Sequence, residues 1–147
     1  MRTLVRTAGR LVTVALLVLA AAQDCSKFEG TRKNCDTRPT APSAQWSGQT
    51  FISAATSSTC DVAPQAHHVY LYLEEKMGEV WAERGNLLCT ERPTGGVWIR
   101  CELVRYECHP GTWRTRVLVT GTNPDGTTMG FEPERPETLI TSCPTGE

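Results

Sequence analysis

His68-Val69-Tyr70-Leu71-Tyr72-Leu73-Glu74 is the stretch on which the fold class turns. Successive side chains of an extended chain point to opposite sides, so Val69, Leu71 and Leu73 share one face and Tyr70, Tyr72 and Glu74 share the other. A helix would set Leu71 on the opposite side from Val69 and Leu73. A strand collects them into a stripe with one apolar side for a core.

The same pattern continues outward in both directions. Lys76-Met77-Gly78 reads as a turn, and Glu79 to Arg84, with Val80 and Trp81, returns as the second arm of a hairpin. Leu87 to Thr90 extends or follows that arm after a break at Gly85-Asn86. Pro93-Thr94-Gly95-Gly96 makes the next turn, followed by Val97 to Cys108 and then, across His109-Pro110-Gly111, by Thr112 to Thr120. Asn123-Pro124-Asp125-Gly126 is a further turn before Thr127 to Phe131. Pro133 and Pro136 exclude a central strand nearby, so Thr138 to Cys143 is expected at an edge. Upstream, core-forming sequence starts at Trp46 to Ser53. About seven short strands with regular turns and no ordinary helix predict an all-β fold, an antiparallel β-sandwich or barrel.

The N-terminus has a different character. Arg2, Arg6 and Arg10 precede an apolar run from Leu11 to Leu19, which ends in Ala20-Ala21-Ala22. Basic, apolar and small regions in that order read as a signal peptide over residues 1–22. The run is shorter than the roughly 20 residues a membrane-spanning helix needs, and no second one follows, so no membrane insertion is expected. Residues 23–45 are polar, carry Pro39 and Pro42, and read as an irregular, disulfide-tethered arm. Residues 46–147 form the expected sandwich domain. Of 15 basic residues three lie in the leader, leaving 12 against 16 acidic ones and a formal charge of −4. That balance argues against nucleic acid as a partner.

All seven cysteines, at positions 25, 35, 60, 89, 101, 108 and 143, follow the leader. An exported chain meets an oxidising compartment, so disulfides are the default and a secreted location is expected. Cys89 and Cys101 lie symmetrically about Gly95, opposed if a hairpin turns there. Counting about Asn123-Pro124 sets Cys108 opposite Leu139, close to Cys143. Cys25, Cys35 and Cys60 share what remains, the first two joined to each other or to the body of the domain. Seven is odd, so one thiol is free or open to a covalent dimer. Close pairs of the kind zinc sites use are missing, since the shortest spacing is Cys101 to Cys108.

Tyr106-Glu107-Cys108 sets a tyrosine two places before a cysteine, and Trp81 lies upstream. Together with Cys108 to Val117 and the Gly121 to Gly126 turn, this resembles small secreted immunoglobulin-like or fibronectin-III-like proteins of actinobacteria, over about half of the chain after the leader. The resemblance implies an immunoglobulin-like sandwich in an extracellular setting, a tyrosine corner at Tyr106 and a buried tryptophan at Trp81. The strand Val69 to Leu73 carries no cysteine, so the inter-sheet bridge of antibody domains is not matched.

No catalytic, metal or cofactor motif stands out. His67 and His68 are neighbours whose side chains diverge on a strand, and with His109 they read as surface or turn histidines. Glu74, Glu75, Glu79 and Glu83 surround the first hairpin and read as a solvated turn. A G-x-S-x-G elbow and phosphate-binding loops are missing from the sequence. The aromatic residues carry the strongest functional suggestion. Tyr70 and Tyr72, opposite the aliphatic stripe, are the candidate binding face for an extracellular protein or glycan. An alternative is a protease inhibitor acting through Glu91, Arg92 and Thr94 after Cys89, although Pro93 directly after Arg92 disfavours scission. A small hydrolase assembled only in three dimensions ranks last.

Overall fold

A computed structural model describes residues 34–105 and 107–145. The expected leader, the beginning of the expected arm with Cys25, and Tyr106, expected at a tyrosine corner, lie outside the described residues. The chain forms eight strands: β1 (Cys35–Trp46), β2 (Thr50–Cys60), β3 (Ala66–Met77), β4 (Val80–Cys89), β5 (Ile99–Arg105), β6 (Gly111–Thr122), β7 (Thr128–Phe131) and β8 (Glu137–Ile140). They make two antiparallel sheets, ordered β1-β2-β5 and β4-β3-β6-β7, with β8 also paired to β6. The all-β sandwich is thus the fold.

β3 lies at the centre of the larger sheet because it can bury one face completely. Val69, Leu71 and Leu73 are buried, and Val117 and Val119 of β6 continue the apolar layer beside them. Ile52 and Ala54 of β2 face them from the smaller sheet, together with Trp113 and Phe131 in one core cluster. Gly78, at φ 63°, makes the tight β3–β4 turn between the paired Met77 and Val80. That conformation carries no steric penalty only where a Cβ is missing.

Several expectations need correction. Residues 35–45 are not an irregular arm: they form most of β1, so the sandwich begins at Cys35. Pro39 and Pro42 hide it from a propensity reading, but β1 is an edge strand whose register shifts between Thr40 and Ser43, where missing N–H donors are tolerated. β2 runs on to Cys60 through Ser53-Ala54-Ala55-Thr56-Ser57-Ser58. These small residues give little apolar periodicity, yet the strand lies between two others. Buried hydroxyls answer one another there, with Thr37 Oγ1 and Ser58 Oγ 2.9 Å apart. Gly85-Asn86 does not break β4. The register slips by one residue opposite Leu73 and Glu74, and Gly85 leaves room for Leu103 of β5 at 3.4 Å from where its Cβ would stand. Trp81 is not the buried tryptophan; Trp113, 1% exposed, is.

Three bridges brace the sandwich: Cys35–Cys60, Cys89–Cys101 and Cys108–Cys143. Cys35 and Cys60 are directly paired residues of β1 and β2. Cys89 and Cys101 are not opposed across a hairpin, because β4 and β5 belong to different sheets; their bond ties one sheet to the other. The β6–β8 register pairs Gly111 with Ile140, and carried three residues outward it brings Cys108 opposite Cys143. All six described cysteines are therefore bonded within the chain, which marks a protein of an oxidising compartment and lends no support to a covalent dimer through them. Among the described residues no helix is long and apolar enough to cross a membrane.

Candidate functional site

The outer face of the larger sheet is built in rows across β4, β3 and β6. The register sets Leu88, Tyr70 and Leu118 side by side, then Asn86, Tyr72 and Arg116, then Glu83, Glu74 and Arg114. Neighbouring strands lie about 4.8 Å apart, and successive residues on one face of a strand about 6.8 Å, so the rows form a regular lattice of side chains. Tyr70 and Tyr72 are half-buried on this face, where the strand period sets them. Leu88 beside Tyr70 is 48% exposed.

Glu74 organises the rest. It points outward from the sheet yet is only 6% exposed, with Arg114 and Arg116 bonded to it. Arg114 Nε donates to its Oε2 at 2.6 Å and Arg116 Nε to its Oε1 at 2.9 Å. Each guanidinium also lies over an aromatic ring, Arg114 over Trp81 at 4.1 Å and Arg116 over Tyr72 at 3.9 Å from the ring centre. Burial alone would push the Glu74 carboxyl up, but the two arginine hydrogen bonds outweigh it and hold the group below its ordinary value. Glu132 approaches Arg116 at 3.8 Å and is itself bonded to Arg135. The outcome is a layer Trp81, Arg114, Glu74, Arg116, Tyr72 in which flat groups are pinned in place by charge-assisted bonds and cation–π contacts.

Glu75, next in sequence, points to the other side, so Glu74 and Glu75 do not share a site. Arg84 Nε donates to Glu75 Oε2 at 2.8 Å, and His109 Nε2 donates to Oε1 at 2.7 Å. Arg84, Arg105, Glu107, His109 and Trp113 line a small cavity of about 110 Å³ beside this pair. A carboxylate that orients an imidazole is one part of a hydrolytic site, but these lining residues include no hydroxyl or thiol nucleophile.

The proposed inhibitor residues lie on the β4–β5 connection, exposed but fastened. His67 Nδ1 and the Glu91 carbonyl are 3.1 Å apart, Gly96 N donates to the Cys60 carbonyl, and Pro93 is buried. Arg92 Nη1 turns back to donate to the Gln65 carbonyl at 3.2 Å, and with Thr94, Pro64 and Pro124 it borders an open groove of about 400 Å³. The structure therefore brings Tyr70 and Tyr72 together on one face, and gathers Glu91, Arg92 and Thr94 on a separate loop.

His67 is not a surface histidine. It is 1% exposed, on the inner face of β3, while His68 faces outward. Burial pushes its pKa down, against the opposing effect of the Glu91 carbonyl, and the neighbouring His68 adds to the lowering. One of its ring nitrogens and the sulfurs of Cys35 and Cys60 lie within 4.8 Å of one another, the only such group of potential metal donors among the described residues.

Arg114, Arg116, Leu88 and Leu118 were missed by the sequence reading. The alternation Trp113-Arg114-Thr115-Arg116-Val117 in β6 carries the signal that both arginines share the outer face. Which side chains they meet depends on the β3–β6 register, and no local pattern states it. No known protein-family pattern matches the chain, and no curated protein is significantly similar to it.

Proposed function

We propose that this chain is a secreted, non-enzymatic binding domain of immunoglobulin-like architecture, which holds an extracellular protein on the outer face of β4-β3-β6. The observation that carries the reading is the Glu74 clamp. It fixes Arg114 and Arg116 against Trp81 and Tyr72, so binding costs little side-chain entropy, beside an apolar row of Leu88, Tyr70 and Leu118. Tyrosine, tryptophan and arginine are the side chains over-represented at the centres of protein interfaces. A glycan would need bare aromatic faces for stacking, and one face each of Tyr72 and Trp81 is already occupied by a guanidinium. That favours protein over sugar.

The leader-like residues 1–22 and the three intrachain bridges support secretion. A three-stranded sheet facing a larger one, with the chain crossing between them after β2, β4 and β5, supports the immunoglobulin-like assignment. The inhibitor reading has less behind it: the β4–β5 loop is rigid, but Arg92 is bonded back onto the domain instead of standing clear of it.

The test uses the oxidised chain immobilised against culture supernatant and cell-envelope fractions of the producing organism, beside a Tyr70→Ala/Tyr72→Ala variant whose folding is checked by thermal unfolding. One saturable protein retained by the parent and lost by the variant is the expected result. Equal retention by a folded variant refutes this face. Material that survives protease treatment of the fraction but is lost after periodate oxidation would replace the protein partner with a glycan.

A further inference from the structure

We propose that Cys35, Cys60 and His67 form a redox-gated metal site, closed while the disulfide is intact and able, once it is reduced, to bind a thiolate-preferring cation such as Zn²⁺. Three independent features converge there. The two cysteines are register partners on adjacent strands, with Cα atoms 4.0 Å apart. The β1–β2 ladder holds them facing each other whether or not the sulfurs are bonded. The Thr37–Ser58 hydroxyl pair and the hydrogen bond from Asp61 N to the Asn34 carbonyl flank them on either side. The other two bridges are elsewhere, one between the sheets and one joining the flanks of β6 and β8, so opening this bond leaves the sandwich closed.

The third donor comes from the opposite sheet. His67 is fully buried, and its Nδ1 is paired with the backbone carbonyl of Glu91. A carbonyl can only accept, so Nδ1 carries the hydrogen and Nε2 is left with its lone pair. That Nε2 is buried without a hydrogen-bond partner. A buried polar atom left unpaired is destabilising, and folds keep few of them. An imidazole whose second nitrogen donates to a backbone carbonyl is the arrangement by which proteins orient metal-bound histidines. Two sulfurs and one imidazole nitrogen suit zinc, with water able to complete a tetrahedron.

The chemistry balances with a dithiol or phosphine reductant. A dithiol is oxidised to its disulfide, giving up two electrons and two protons, or a phosphine to its oxide, taking the oxygen and leaving the two protons of a water molecule; the bond between the Cys35 and Cys60 sulfurs breaks and two thiols form. A divalent cation then displaces both protons to solvent as it binds the two thiolates and the His67 nitrogen. Nothing in the sequence spacing announces such a site, since Cys35, Cys60 and His67 belong to three different strands.

The experiment uses the chain carrying Cys25→Ser, treated without oxygen with limiting phosphine, with the Cys89–Cys101 and Cys108–Cys143 bridges confirmed intact by mass mapping, and titrated with Co²⁺ as a spectroscopic stand-in for Zn²⁺. One cobalt per chain with thiolate-to-metal charge-transfer absorption is expected. The signal should be absent from a Cys35→Ser/Cys60→Ser variant, and His67→Gln should weaken binding by at least about tenfold. A measurement on the chain without those three substitutions guards against variants that fail to fold: Zn²⁺ should slow alkylation of Cys35 and Cys60, located by peptide mass mapping, more than that of the other described cysteines. Equal cobalt binding by the double-serine variant, no charge-transfer band, or alkylation of Cys35 and Cys60 indifferent to zinc would each overturn the proposal.

Discussion

Replacing Glu74 by glutamine tests whether the outer layer of the larger sheet is held by charge. The substitution keeps the volume and one carbonyl oxygen, so one of the two arginine bonds survives in neutral form and the other meets an amide NH₂. The side chains involved are well covered, with 8% of Glu74, 13% of Arg114 and 23% of Arg116 exposed. Losing one hydrogen bond to a charged group costs about 1.5–3 kcal/mol, and leaving two partly buried guanidiniums without their counter-charge adds to it. A loss of about 3 kcal/mol is expected, seen as a fall in Tm of about 10–15 °C for a domain of this size. Urea unfolding at pH 7 measures it, and a cycle with Arg114→Met isolates the pair. The pH dependence has a fixed sign. Glu74 has its folded pKa lowered, so the unfolded chain takes up its proton first as pH falls. The advantage of the parent over Glu74→Gln is then complete above the unfolded carboxyl's value near about 4.3 and closes as pH drops through the lower folded value. A variant within about 0.5 kcal/mol of the parent at pH 7, or a gap that widens in acid, refutes the clamp.

Two further outcomes concern the fold. Gly121→Ala should destabilise by about 3 kcal/mol or more, since its Cβ would stand 2.2 Å from the Ala66 carbonyl oxygen and 2.8 Å from Met129 Cε; calorimetry showing an unchanged Tm would contradict that packing. Removing the inter-sheet bridge with Cys89→Ala/Cys101→Ala should cost about 3 kcal/mol, and Cys108→Ala/Cys143→Ala, which opens a longer loop, about 4 kcal/mol, both read from denaturant unfolding.

The sequence by itself determined the strand class and the faces. The alternation in Val69 to Leu73 set an apolar stripe inward and Tyr70 and Tyr72 outward, because a strand's period of two is local and needs no partner to be read. It also marked the turns, through glycine and proline, and the oxidising setting, through seven cysteines without the close spacing of a zinc site. What local patterns cannot state is pairing. β1 was unreadable because Pro39 and Pro42 are permitted only by its place at an edge, and β2 because small polar residues become strand-like only between two neighbours. Likewise the bridge Cys89–Cys101 joins two sheets, although counting along the chain treats it as a hairpin contact. The Glu74 clamp and the meeting of His67 with Cys35 and Cys60 depend on register and on the approach of one sheet to the other. Those are contacts between residues far apart in sequence, and only the closed sandwich decides them.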